Sequence, residues 1–179
     1  AIIAEGIEEM FDYARILEKL NGIKGKKVQV ITNGGGYGIL SVDALVKDGL
    51  ELADLSKESK KILKRELSEI VSIGNPIDLT GNSTTQDYKR AIEVSIEDLN
   101  VNLLLVIVLP QVPLLTTNIV DILIEFRDMN KKPLVVVIPG GEFTKLLRKN
   151  LEQNGVPCFT FPSNAARAIS QLCEYYKLN

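Results

Sequence analysis

The sequence predicts an α/β domain, a parallel sheet with helices on both faces, and three observations carry that prediction. Val101–Leu109 (VNLLLVIVL) and Pro133–Ile138 (PLVVVI) are nearly continuous apolar runs, as expected of strands buried on both faces. Strand-like and helix-like segments alternate five times after one extra helix, the pattern of a doubly wound sheet. Between the first strand and its helix lies Asn33-Gly34-Gly35-Gly36-Tyr37-Gly38, a glycine bend at a strand-to-helix junction.

Taken in order, Ile7–Leu20 places Ile7, Met10, Phe11, Ala14 and Leu17 at helical spacing, with Glu8 and Glu9 early, where the helix dipole favours acids. Asn21-Gly22 ends that helix. Residues 1–24 are thus read as an N-terminal helix and linker packed on the domain, and 25–179 as one domain. The chain begins without methionine, already in apolar sequence, which suggests a piece of something longer. Val28–Ile31 is a β-branched strand. From Ile39 the spacing turns helical, with Leu40, Ala44 and Leu45 on one face, Val42 and Val46 beside it, and Gly49 at the end.

Glu51–Leu55 reads as a short second strand, and Ser56 as the N-cap of a charged helix from Glu58 to Leu67. Ser72–Thr85 (SIGNPIDLTGNSTT) fits no regular element, because Pro76 lacks a donor and disfavours helix at Asn75. A helix over Gln86–Glu97 follows, capped by Thr84 or Thr85, with Tyr88, Ala91, Ile92 and Ser95 inward. After the Val101 strand, Pro110-Gln111-Val112-Pro113 breaks the chain, and Thr116 or Thr117 starts a helix to about Met129. Pro139-Gly140-Gly141 ends the next strand, and a helix spans Glu142–Gln153. Val156–Phe161 is the last strand, and Ser163–Lys177, capped by Ser163, the closing helix.

Right-handed crossovers then favour a flavodoxin-like five-stranded sheet of order 2-1-3-4-5. In that order the irregular loops 33–38, 110–113 and 139–141 fall past the carboxyl ends of strands, where such sheets bind ligands, and so does 74–85 if a third strand or extended arm precedes it. At the bend, the free N–H groups of a first helical turn and the helix dipole favour an anion, and glycine keeps Cβ atoms out of its way. The bend lacks the Gly-Lys-Ser/Thr of a P-loop. A dinucleotide fingerprint would need glycine at position 39, which is isoleucine, although Asp54 lies at the right distance for a ribose ligand. A tight turn with no ligand is the plain structural alternative.

The chain has no histidine, which excludes histidine-based acid–base catalysis, a Ser-His-Asp triad and histidine metal sites within it. No metal site and no self-contained catalytic set is predicted. The acids that a phosphoacceptor receiver domain needs at the end of its first strand are missing, and Tyr37 alone is thin support for a flavin. With a formal net charge of −2, and Lys57–Arg65 (KESKKILKR) patterned like a solvated helix face, no nucleic-acid surface is expected. No membrane span or signal peptide is legible. Cys158 and Cys173 lack a CxxC partner and read as buried, reduced thiols in a cytoplasmic protein.

The first strand and bend, Val28 through Gly36 with Gly38 and Asp43-Ala44-Leu45, resemble the NDP-forming acyl-CoA synthetases, relatives of succinyl-CoA synthetase. Gly74-Asn75-Pro76-Ile77-Asp78-Leu79-Thr80-Gly81 is similar to a second motif of the same domain in that family. Pro139-Gly140-Gly141 and the stretch from Gly155-Val156-Pro157 through Phe161-Pro162-Ser163 to Tyr176 also fit. The resemblance spans essentially the whole chain and points to the counterpart of the carboxyl-terminal domain of the succinyl-CoA synthetase β chain. Tyr37 departs from the proline more common there.

This resemblance implies one domain of an enzyme that interconverts acid, CoA and ATP with acyl-CoA, ADP and phosphate. The reaction passes through an acyl phosphate and a phosphohistidine. It implies that the histidine, the CoA site and an ATP-grasp nucleotide site with Mg2+ lie in partner domains, so this domain alone binds none of those cofactors. Its own share would be Asn33, Gly34, Gly35, Gly36, Tyr37, Gly38, Asn75, Asp78, Thr80 and Gly81 around a phosphate and a small carboxylic acid, with Gln111, Gly140 and Gly141 at the rim. A non-catalytic binding or assembly domain is the alternative, and a dinucleotide domain a more distant one.

Overall fold

A computed structural model describes residues 2–177; Ala1 and residues 178–179, at the ends of the two predicted segments, lie outside the described residues. The elements run α1 (Ile7–Lys19), β1 (Lys27–Thr32), α2 (Gly35–Lys47), β2 (Glu51–Leu52), α3 (Lys57–Glu66), β3 (Ile77–Asp78), α4 (Thr85–Glu97), β4 (Leu103–Ile107), α5 (Ile119–Met129), β5 (Leu134–Val137), α6 (Glu142–Gln153), β6 (Cys158–Phe159) and α7 (Pro162–Lys177). All the strands pair in parallel, in the order β2-β1-β4-β5-β6. This path is the predicted 2-1-3-4-5, and the two-residue β3 is added to it against β1. Helices α1, α2 and α7 share one apolar cluster with one face of the sheet. Helices α3 to α6 share the other.

The β1 strand is longer than either partner on its outer edge. There β2 pairs with Lys27 and Val28, β3 pairs with Ile31 and Thr32, and a gap is left between them. One side chain fills it. Asn75 Oδ1 accepts the Val30 amide at 3.0 Å, and its Nδ2 donates to Val28 O at 2.7 Å and Ala53 O at 3.0 Å. A carboxamide carries the same donor and acceptor as a peptide group, so Asn75 continues the ladder in place of backbone. This is why the strand expected over Glu51–Leu55 contracts to two residues.

Helix packing differs from the pattern reading at three points. The apolar stripe assigned to α1 lies largely outward: Ile7, Met10, Phe11 and Ala14 are exposed, and Tyr13, Ile16 and Leu20 face the core with Asp12. Asp12 is tolerated there because Arg15 and Asn164 each bond it at 2.7 Å. The helix carries two apolar stripes, and periodicity alone does not say which one meets the sheet. On α2, Leu40 and Val46 are exposed while Gly38, Ser41 and Leu45 are buried; Ser41 satisfies its hydroxyl by donating to Tyr37 O at 2.7 Å. Helix α7 starts at Pro162, a residue suited to a first helical position, so Ser163 lies inside the helix and does not cap it. The caps at Ser56 and Thr84 form as expected, Thr84 in a reciprocal capping box with Asp87.

Cys158 and Cys173 are both buried and free. Burial pushes the Cys173 thiol up to about 11 and raises that of Cys158 further. An unfolded thiol titrates near pH 8.5, so the folded state holds protons that the unfolded state releases above it. Stability is therefore full below about pH 8.5 and declines as the pH rises from there toward 11, by roughly 3 kcal/mol for Cys173. Urea unfolding at pH 8 and pH 10.5 is expected to show that loss, and Cys173→Ala to flatten the slope.

Candidate functional site

The bend begins where β1 runs out. Thr32 Oγ1 accepts the Gly34 amide at 3.0 Å and its hydroxyl donates to Gly34 O at 3.1 Å, which closes a tight turn. Asn33 is buried, and its carboxamide exchanges two bonds with Leu109: Nδ2 to the carbonyl at 3.0 Å and Oδ1 from the amide at 2.9 Å. It extends the β1–β4 ladder by one rung, as Asn75 does on the other edge. Both asparagines placed in the ligand site by sequence thus spend their side chains on backbone.

Gly34 is the N-cap of α2, with no side-chain cap and no acid in the first turn. The first intrahelical bond is Gly38 N to Gly34 O, at 3.0 Å. The amides of Gly35, Gly36 and Tyr37 precede it and make no bond to this chain among the described residues. They form the positive end of the helix. The amide of Gly38, expected among the anion donors, is instead consumed inside the helix.

The four glycines divide by what a Cβ would meet. At Gly38 it would lie 2.9 Å from Thr32 Cγ2 and 3.0 Å from Pro76 Cγ, so this glycine lets α2 press against the loop that carries the cis Asn75-Pro76 bond. At Gly34 it would strike Leu109 Cδ1, and at Gly35 it would lie 2.6 Å from Asp78 Oδ2. At Gly36 it would meet nothing within 4 Å. Packing accounts for three of these glycines and leaves Gly36 facing open space. Tyr37 is half-buried against the cluster formed with α7.

Asp78 is the acid nearest this helix end. The 72–80 loop holds it there: Ser72 and Asp78 exchange backbone bonds at 3.1 and 3.0 Å, and the Leu79 amide donates to Thr32 O at 2.7 Å. Its Oδ1 accepts the Thr80 amide at 2.9 Å, while Oδ2 lies against Gly35. Thr80 takes a left-handed φ of 67°, and its hydroxyl receives the Asn82 amide at 3.4 Å. Gly81 faces Val112, and Gln111 meets Gly140, whose φ is 121°. Gly141 is the N-cap of α6, its carbonyl bonded by Thr144 Oγ1 at 2.8 Å. Leu109, which braces the bend through its backbone amide and carbonyl, is a residue that sequence reasoning misses, because its apolar side chain carries no signal of that role. Asp54, on which a dinucleotide reading relied, pairs with Lys60 at an exposed position. No group of three or more acids or cysteines that could hold a metal ion occurs among the described residues.

Residues 28–178 match the family described as the Ligase-CoA domain. The chain belongs to that family. Among relatives of this Ligase-CoA domain, the alpha subunit of an ADP-forming acetate–CoA ligase I from Pyrococcus furiosus is 35% identical over 96% of the chain and 37% of the relative. An ADP-forming acetate–CoA ligase I from Archaeoglobus fulgidus is 32% identical over 99% of the chain and 25% of the relative. A crystal structure from Pyrococcus horikoshii superimposes with a TM-score of 0.91 at 30% identity, covering 99% of this chain and 41% of that one. This Ligase-CoA domain therefore spans well under half the length of the proteins it matches. The family resemblance read from the bend and the 74–81 segment is established.

Proposed function

We propose that this chain is one domain of an ADP-forming acid–CoA ligase, acting on acid, CoA and ATP to give acyl-CoA, ADP and phosphate, reversibly, in the cytoplasm. Its part is electrostatic. The amides of Gly35, Gly36 and Tyr37, backed by the α2 dipole, hold phosphoryl or carboxylate oxygens of the acyl phosphate and of a phosphohistidine borne by a partner domain. CoA, the nucleotide and its Mg2+ are held by the CoA-binding and ATP-grasp parts. The observation that carries this reading is the uncapped first turn of α2 beside a glycine, Gly36, that packing does not require. Phosphoryl transfer depends mainly on positioning and charge stabilisation, which such a turn provides.

The reading narrows the site. Asn33 and Asn75 fix the two flanks of β1, Gly38 and Gly34 set the bend, and Asp78 and Thr80 form the wall facing it. In the same reading residues 1–24 are an appendage packed on the 25–179 unit through α1 and α7. The isolated chain is expected to be inactive, and reconstitution with the histidine-bearing and ATP-grasp parts to restore ADP-dependent turnover. If reconstitution succeeds equally well without this domain, it is a non-catalytic assembly module.

Asp78 makes a second test possible. Its carboxylate sits at the same helix end as the incoming anion and repels it, so Asp78→Asn, which keeps the acceptor for the Thr80 amide, is expected to lower the KM for phosphate. A like charge a few ångströms away in partly screened surroundings is worth about 1 kcal/mol, or roughly fivefold. Steady-state kinetics in phosphate, in the acyl-CoA-consuming direction, reads this out.

A further inference from the structure

At the opposite end of the sheet, the amino ends of β4 and β5 border a cavity of about 430 Å3 that the reading above does not use. Lys19, Lys24, Arg127, Lys131 and Lys132 line it, and no acid does. Part of this charge serves the fold. Lys19 and Arg127 lie in the last turns of α1 and α5, where cations offset the helix dipole. Lys132 Nζ bonds the carbonyls of Ser95 and Asp98 at the end of α4, and burial lowers its pKa.

The rest exceeds what the helix ends need. Lys24 makes no ion pair or hydrogen bond among the described residues. Lys19 pairs only with the adjacent Glu18, whose side chain is 75% exposed, and Lys131 only with Glu97, 63% exposed; such solvated pairs are weak and exchangeable. The side-chain amides of Asn21 and Asn130, also in the lining, have no partner among the described residues. Leu20, Val101 and Leu134 form a buried apolar floor. The cavity thus offers donors from two separate segments, 19–24 and 127–132, over a volume larger than one phosphate fills.

We propose that this cleft binds a small polyphosphate anion, a chain of phosphates either free or borne on a nucleoside. The length of β1 places it about 20 Å from the glycine bend, so it is a separate site. Calorimetric titration of the chain with tripolyphosphate, ATP and inorganic phosphate tests this, at low and at physiological ionic strength. Tripolyphosphate is expected to bind more tightly than inorganic phosphate and to weaken as salt rises. It should lose at least tenfold in affinity in the Lys24→Glu/Lys131→Glu variant, and about threefold in the milder Lys24→Gln, with unchanged circular dichroism. Gly36→Val is expected to leave this binding intact. ATP binding tighter than tripolyphosphate would identify a nucleoside-borne ligand, and equal affinities a free chain; either keeps the proposal. Absence of tripolyphosphate binding at low salt overturns it, as does full affinity in the double variant. Loss in Gly36→Val would also overturn it, by moving the anion to the bend.

Discussion

Gly36→Val is expected to leave the domain folded and to lower kcat of the complete synthetase on the order of 100-fold, the loss typical when one oxyanion donor is removed. The separation of these two effects comes from the geometry. A Cβ at Gly36 meets no atom of this chain within 4 Å, and its φ is not left-handed, so the cost to stability is only that of a β-branched residue in a first helical turn. The isopropyl group would instead enter open space at a first helical turn whose three leading amides make no bond among the described residues. Thermal unfolding of the domain and turnover of the assembled enzyme, measured on the same variant, check the two halves. Unchanged turnover would remove the bend from the chemistry. Gly38→Val makes the contrasting control: its Cβ presses on Thr32 and Pro76, and both fold and turnover should suffer.

Asn75→Ala is expected to be the most destabilising single change in the loops, by about 3 kcal/mol. It strips the amide of the fully buried Val30 of its acceptor and removes a donor from Val28 O and from Ala53 O. An orphaned buried amide alone costs about 1–3 kcal/mol. With a urea slope of about 2 kcal/mol per molar for a domain of this kind, the midpoint should fall by roughly 1.5 M. Asn75→Asp should be no better, since a carboxylate would face two carbonyls. A midpoint within about 0.3 M of the parent would show that the sheet does not lean on this side chain.

These two residues also show where the sequence could be read and where it could not. The central strands were legible because Leu103–Ile107 and Leu134–Val137 have no polar face at all, and a run buried on both sides has one explanation. The glycine bend was legible as a strand-to-helix junction. The roles inside it were not, because a short amide side chain suits a ligand and a broken backbone ladder equally well. The carboxamides of Asn33 and Asn75 bond backbone in the structure. The inward face of α1 is not legible for a related reason: its two apolar faces have the same period, and only the packing against α7 and the sheet distinguishes them. Among the bend glycines, Gly36 is the one at which a Cβ would meet no atom within 4 Å.

Asn33 has one more consequence. An asparagine followed by glycine is the pair most prone to cyclise and lose its side-chain nitrogen, because little hinders attack by the next amide. Here the attacking nitrogen of Gly34 donates to the Thr32 hydroxyl at 3.0 Å, and the carboxamide is gripped by Leu109. The turn that opens α2 also shelters Asn33 from chemical ageing, a protection that lasts only as long as the first and fourth strands stay zipped.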